Sequence, residues 1–213
     1  MKRLKRKVFN AGLVLLLCSP MLAEDIRLLP PQFEKNATLL EALKNRCSER
    51  SFSEKELSLQ QLSNLLWAAV GVNRPDDEKR TAPTARNAQE IDVYVAMKTG
   101  LYLYNAKDHI LVFIHANDIR SKTGKQKFTE TAPVNLIYVA DFDKMNGDEE
   151  TKIFYSATDT GFISQNVYLY CAAEGLGTVV RGWVDKDKLA IEMKLRPEQH
   201  ITLAQTVGYI KQE

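Results

Sequence analysis

The stretch Ile91-Asp92-Val93-Tyr94-Val95-Ala96-Met97-Lys98-Thr99-Gly100-Leu101-Tyr102-Leu103-Tyr104-Asn105 decides the fold class. In its first half Ile91, Val93, Val95 and Met97 alternate with polar or small residues, the two-residue period of a half-buried strand. Gly100 and Asn105 are turn signals, so residues 101–104 read as a return strand and residues 109–115 as the third strand of a meander. Residues 134–140 form a continuous apolar run, the mark of a central strand. Residues 178–184 and 202–210 read as two further strands.

Helices stand before and after these strands. Thr38 and Glu41 have capping-box spacing, and Leu39, Leu40 and Leu43 give a short amphipathic helix. Ser58 and Gln61 repeat the start signal; Leu59, Leu62, Leu65, Leu66 and Ala69 make the stripe, and Gly71 stops it. Asp159 or Thr160 opens another helix, with Ile163, Val167, Tyr170 and Cys171 on its apolar face and Gly175 at its end. Residues 185–193 read as a helix and the charged run 118–127 as a short one. Residues 26–35, with Pro30-Pro31, read as an extended entry arm, and residues 72–86 as a long polar loop. Strands in a run with helices on either side predict an α+β fold, a mainly antiparallel sheet flanked by helices. No repeat, low-complexity block or linker divides residues 24–213, which read as one domain.

The first residues follow a different rule. Lys2, Arg3, Lys5, Arg6 and Lys7 precede the apolar run 11–18; Pro20 and Ala23 follow, and Glu24-Asp25 brings back charge. That order is a secretory signal peptide, cleaved after Ala23, and it predicts an exported, periplasmic protein. The run is much shorter than the ~20 residues a spanning helix needs, so no stable membrane span remains after cleavage; an uncleaved anchor is the alternative. Cys18 raises lipid attachment, but Leu17 before it is bulkier than the small residue such sites carry. Cleavage removes five positive and no negative charges from a net charge of +2, leaving −3 on 190 residues. The basicity belongs to the leader, and nothing beyond it points to nucleic acid. Composition, 45% hydrophobic and 26% charged, is that of an ordinary globular domain. Cys47 and Cys171 are too few and too distant for a metal site; a disulfide between them is allowed in an oxidising compartment.

Several chemistries have no motif here: no phosphate-binding G-x-x-x-x-G-K-[ST], no H-E-x-x-H, no G-x-S-x-G. Gly175-Leu176-Gly177 follows a helix and has Val180 where a dinucleotide fingerprint needs glycine. His109, His115 and His200 fall in or beside predicted strands without metal-like spacing. Three segments remain. Arg46-Cys47-Ser48-Glu49-Arg50-Ser51-Phe52 sets two guanidiniums and two hydroxyls within six residues, a donor set for a phosphate or a solvated helix end paired with Glu41 and Glu49. Pro83-Thr84-Ala85-Arg86-Asn87-Ala88-Gln89 carries amides suited to a flat heterocycle, or ordinary turn chemistry. Arg181-Gly182 follows Gly175-Leu176-Gly177, where glycine admits close backbone approach or marks a bulge.

In this order the segments resemble the FMN-dependent nitroreductase family over nearly all of residues 38–211. Arg46, Cys47, Ser48, Arg50 and Phe52 are similar to its R-R-S-x-R-x-F entry motif. Pro83, Thr84, Asn87 and Gln89 are similar to its P-S-x-x-N-x-Q, and Asp159, Gly161, Gln165 and Asn166 before Gly175-Leu176-Gly177 to its D-x-G-x-x-x-Q-N…G-L-G. Residues 65–69 and 100–104 look like the subgroup that oxidises thiazoline and oxazoline rings in peptides. Two departures stand out: Cys47 replaces an arginine, removing a phosphate donor, and Glu90 stands where many members have proline.

The resemblance implies a homodimer with FMN at the subunit interface, and electron transfer to a small organic acceptor such as a nitro compound or quinone. It assigns Arg46, Cys47, Ser48, Arg50 and Lys211 to the phosphate end, and Gln126 to the ribityl side. Pro83, Thr84, Asn87 and Gln89 go to the ring, typically from the partner subunit, and the backbone of Arg181 and Gly182 lies beside the reactive edge. The electron donor is NAD(P)H or, for an exported protein, a partner protein or quinol. A dehydrogenase of peptide-derived heterocycles, or a redox-inactive binding module on the same scaffold, are the alternatives.

Overall fold

The structure is a computed structural model and describes residues 24–32 and 37–212. The expected leader, 1–23, and residues 33–36 of the entry arm lie outside the described residues. The chain begins with β1 (Ile26–Arg27), α1 (Leu39–Asn45) and α2 (Leu59–Val70), followed by a hairpin of β2 (Val72–Arg74) and β3 (Lys79–Arg80). The meander β4 (Ile91–Met97), β5 (Gly100–Asn105) and β6 (Ile110–His115) leads to the one-turn helix α3 (Phe128–Thr131) and β7 (Val134–Asp141). Then come α4 (Glu149–Glu174), β8 (Gly177–Arg181), α5 (Lys186–Met193) and β9 (Gln199–Gly208). Among the described residues the main sheet runs β1-β6-β5-β4-β7-β9-β8, each neighbouring pair antiparallel. This is the expected α+β architecture.

The starts of α1 and α2 form as their sequences dictate. Thr38 Oγ1 accepts from the Glu41 N–H at 3.2 Å while the Glu41 carboxylate accepts from the Thr38 N–H at 2.8 Å. Ser58 and Gln61 repeat the exchange at 3.2 and 3.1 Å, so both helices open with their first donors satisfied. The sheet has two covered faces. Val93, Val95, Leu136 and Tyr138 pack with Leu62, Leu65 and Leu66 of α2 and Ile163, Val167 and Cys171 of α4. Tyr94, Ala96, Ile137, Val139 and Ile201 pack with Leu189 and Met193 of α5 and with Ile119. Each fully buried large side chain contributes roughly 1.5–3 kcal/mol to holding these layers together.

Five expectations need correcting. β4 is buried on both faces, not half-buried, because α5 and Ile119 cover the face carrying Tyr94 and Ala96. The leucines of α1 face away from the core: Ala42 is the buried residue, and Leu40 is 77% exposed. α4 begins at Glu149 behind an Asp148 cap, ten residues before the expected start. The hydroxyl-rich stretch around Asp159 mimics a cap, but Thr160 Oγ1 bonds back to the Ser156 carbonyl inside a continuing helix. Residues 72–86 are not a plain loop, since β2 and β3 pair there, and residues 118–127 hold only a 3-10 turn at Arg120–Lys122.

Candidate functional site

The segment after α1 is laid along the sheet edge by main-chain bonds. Glu49 N–H donates to the Thr178 carbonyl at 2.9 Å, Ser53 N–H to Tyr209 at 2.9 Å, and Lys211 N–H to Ser51 at 3.1 Å. Phe52 bridges to Ile210. Residues 46–53 therefore run beside β8 and the end of β9, and Lys211 is drawn to the same place. Gly177 makes this approach possible: a Cβ there would sit 2.8 Å from the Glu49 side chain.

A second wall is bolted on by Arg181, only 4% exposed. Its guanidinium donates to the Thr123 carbonyl at 2.7 Å, to Asn135 Oδ1 at 3.0 Å and to Thr206 Oγ1 at 3.1 Å. Burial pulls its pKa down to about 10, so it stays cationic at neutral pH. The segment it holds contains Gln126, and Lys125 N–H reaches the Trp183 carbonyl at 3.2 Å, beside Gly182. A Cβ on Gly124 would meet the Arg181 guanidinium at 1.9 Å, so only glycine fits there. Gln126 Oε1 is buried without a hydrogen-bond partner. An orphaned acceptor in a corner rich in donors is a binding feature more than a packing one.

Of the expected residues, Arg46, Cys47, Ser48, Arg50 and Lys211 are thus brought beside the start of β8, and Gln126, Arg181 and Gly182 beside its end. Pro83, Thr84, Asn87 and Gln89 are elsewhere. Their loop is tied to α4 by Ala85 N–H donating to Asp159 Oδ2 at 2.8 Å, and closed by Gln89 N–H on Thr84 Oγ1 at 3.0 Å. Arg86, Asn87 and Gln89 have φ of 56°, 54° and 50°, left-handed backbone that non-glycine residues adopt at a cost. Asp159 precedes Tyr168, which contacts the first corner, by nine residues of helix, ~13 Å along the axis.

Two features escaped the sequence reading. Tyr168 lies under the first corner: its hydroxyl is 2.8 Å from Ser48 Oγ and accepts the Val180 N–H at 3.0 Å, and Arg46 sits over its ring at 5.3 Å. A tyrosine on the buried face of a helix needs a partner for its hydroxyl, which is the signal that would have found it. Glu90, noted only as a departure from proline, is fully buried behind the 83–89 loop with both carboxylate oxygens unpartnered. Burial pushes its pKa up to about 7; its own backbone N–H opposes the rise, the neighbouring Asp159 adds to it, and Lys144 opposes it more weakly. Cys47 is an exposed free thiol and Cys171 a buried one, so no disulfide joins them. His109, His115 and His200 are engaged with Leu29, Glu192 and Phe142, away from both clusters. Among the described residues no helix is long and apolar enough to cross a membrane, and no three His, Cys, Asp or Glu side chains gather to hold a metal.

The comparisons with known proteins agree with one another. The nitroreductase family model matches residues 43–209. A candidate nitroreductase of Methanocaldococcus jannaschii is 31% identical over 159 residues, 68% of this chain and 78% of that protein. The structure of a candidate nitroreductase of Ralstonia eutropha superposes with a TM-score of 0.86 at 41% identity, over 90% of this chain and 91% of that one. The Vibrio harveyi NADPH:FMN oxidoreductase, solved with NAD+, shares the fold alone: TM-score 0.62, 17% identity, 82% of this chain and 69% of that one. Proteins of the matched family are generally flavin-dependent oxidoreductases that typically bind FMN as homodimers. With most of its length matched, the chain belongs to the nitroreductase family.

Proposed function

We propose that this protein is an FMN-dependent oxidoreductase that works as a homodimer and delivers electrons to a small organic acceptor such as a nitro compound or a quinone. The observation that carries this reading is the split between two donor groups. Arg46, Ser48, Arg50 and Lys211 lie beside the start of β8 with Gln126 at its other end, while Asn87 and Gln89 lie near Asp159, ~13 Å back along α4 from Tyr168. One chain offers half of the set at each place, and a second copy packed on α4 supplies the missing half. The exposed surface fits that copy. Ile153, Phe154 and Phe162 of α4 and the three leucines of α1 are exposed, on helices that pack against each other. Large apolar side chains concentrated in this way mark an interface.

In this assembly Arg46, Arg50 and Lys211 hold the phosphate, with Ser48 adding a hydroxyl. Gln126 Oε1 accepts from a ribityl hydroxyl, which satisfies its orphaned oxygen. Asn87 and Gln89 of the partner subunit present amides to the ring edge, and Arg181 fixes the strand end that leads to Gly182 beside it. When bound, FMN supplies the hydride and single-electron transfer. The protein's part is to orient, to supply positive charge and to exclude water. NAD(P)H, a partner protein or a quinol serves as donor; with residues 1–23 read as an export signal, the last two suit the compartment. Intact mass of the protein recovered from the periplasm checks that signal: a chain beginning at Glu24 supports it, and an unprocessed chain opposes it.

Sedimentation followed at a flavin wavelength and a protein wavelength tests the dimeric site. Flavin should travel with the dimer and be released as dilution yields monomer. Flavin held by a monomer would refute the shared site.

A further inference from the structure

Tyr168 Oη is the meeting point of three groups in the phosphate corner. The Val180 N–H donates to it at 3.0 Å, Ser48 Oγ lies 2.8 Å away, and the Arg46 guanidinium rests over the same ring. A phenol hydroxyl has one hydrogen and two lone pairs, so the direction of the bond to Ser48 follows from what each atom has left. If Ser48 donated to Tyr168, the phenol would accept twice and its own hydrogen would lack an acceptor in a side chain that is buried. Native interiors avoid that arrangement. The consistent alternative has Tyr168 donating to Ser48 Oγ. The Ser48 hydrogen is then left over, on an exposed residue whose hydroxyl has no other hydrogen-bond partner among the described residues.

We propose that Tyr168 is a positioning residue for anion binding: it accepts the Val180 N–H, donates to Ser48 Oγ and seats Arg46 on its ring, so that the Ser48 hydrogen and the Arg46 guanidinium face the same phosphate. This rests on the reading of residues 46–50 as the phosphate segment. Tyr168 need not touch the ligand. It converts a serine that would otherwise rotate freely into a donor with one direction, and holds a long arginine that would otherwise lose rotamer freedom on binding. Removing the phenol hydroxyl leaves the ring and the Arg46 seat but frees Ser48 to turn inward to the Val180 N–H.

The test compares FMN with riboflavin, which lacks the phosphate, by fluorescence titration of the apoprotein. Tyr168→Phe should weaken FMN binding about tenfold, the worth of one oriented charge-assisted hydrogen bond, and leave riboflavin binding unchanged. Ser48→Ala should cost the same, and the double variant no more than either alone, since both changes remove one donor. Tyr168→Leu should cost more than Tyr168→Phe by also unseating Arg46. Equal weakening of FMN and riboflavin, an unchanged FMN affinity in Tyr168→Phe, or additive losses would each overturn the proposal. Retained riboflavin binding also shows that the variant folds. A wild-type protein that binds neither flavin would instead sink the cofactor reading itself, an outcome seen before any variant is made.

Discussion

Replacing Glu90 with Gln probes the most unusual charge in the molecule. The Glu90 side chain is fully buried, its oxygens have no hydrogen-bond partner, and burial together with Asp159 pushes its pKa from an ordinary 4.5 up to about 7. In the unfolded chain the same carboxyl loses its proton near 4.5. Because the folded value is the higher one, the folded state keeps the proton longer, and protonation favours folding. The contribution is complete below pH 4.5 and is lost as pH rises through about 7. The gap of two to three pH units corresponds to about 3 kcal/mol between pH 4.5 and pH 8, a property of the Glu90–Asp159 pair as much as of Glu90. Gln has the same shape and does not titrate. Glu90→Gln should therefore match the wild type near pH 4.5 and exceed it by about 3 kcal/mol at pH 8. Urea unfolding at pH 5, 6, 7 and 8, at one protein concentration, reads the difference between the two proteins directly. A difference that stays flat across this range would show Glu90 ionised and satisfied in the fold, and the argument from burial would be refuted.

Other changes test separate parts of the structure. Asp159→Ala removes the acceptor of the Ala85 N–H, and tryptic cleavage after Arg86 should speed up about tenfold as the strained loop opens; an unchanged rate would mean the loop is held elsewhere. Arg181→Met strips its hydrogen bonds from Thr123, Asn135 and Thr206 and should cost roughly 3 kcal/mol in urea unfolding. Phe154→Glu, at a side chain 63% exposed, should leave subunit stability within about 0.5 kcal/mol yet weaken dimerisation at least tenfold by sedimentation, with loss of flavin. Cys47→Arg restores a third guanidinium beside Arg46 and Arg50 and should tighten FMN, but not riboflavin, about fivefold in the same fluorescence titration.

What the sequence discloses is what local chemistry decides. The capping pairs Thr38–Glu41 and Ser58–Gln61, the alternation through β4 and the left-handed Gly175 that ends α4 are each written in a few neighbouring residues. The segment from Arg46 to Phe52 was legible as a donor set, but the sequence left open whether it bound anything; main-chain bonds to Thr178 and Tyr209 decide where it lies. Periodicity reports which residues are apolar and not what covers them. Hence Tyr94 and Ala96 looked like an open face before α5 was known to cover it. The leucines of α1 looked inward, whereas nothing among the described residues buries them. The early turns of α4 carry Glu149, Glu150 and Lys152 beside exposed Ile153 and Phe154, a pattern with no single inward stripe, so the hydroxyls near Asp159 were mistaken for its start. Tyr168 and Glu90 acquire their character from residues 120 and 69 positions away, Ser48 and Asp159, and no window on the chain contains both partners.

Whether residues 46–50, Gln126, Gly182 and Lys211 bind FMN as proposed is read from the absorbance spectrum of the purified protein with and without added FMN. Flavin bands should appear that bleach with dithionite, disappear on removal of the cofactor and return when FMN is restored in a ratio of one per chain. A protein that takes up no flavin even at high FMN would contradict it, leaving the family's fold with a binding function in place of redox chemistry.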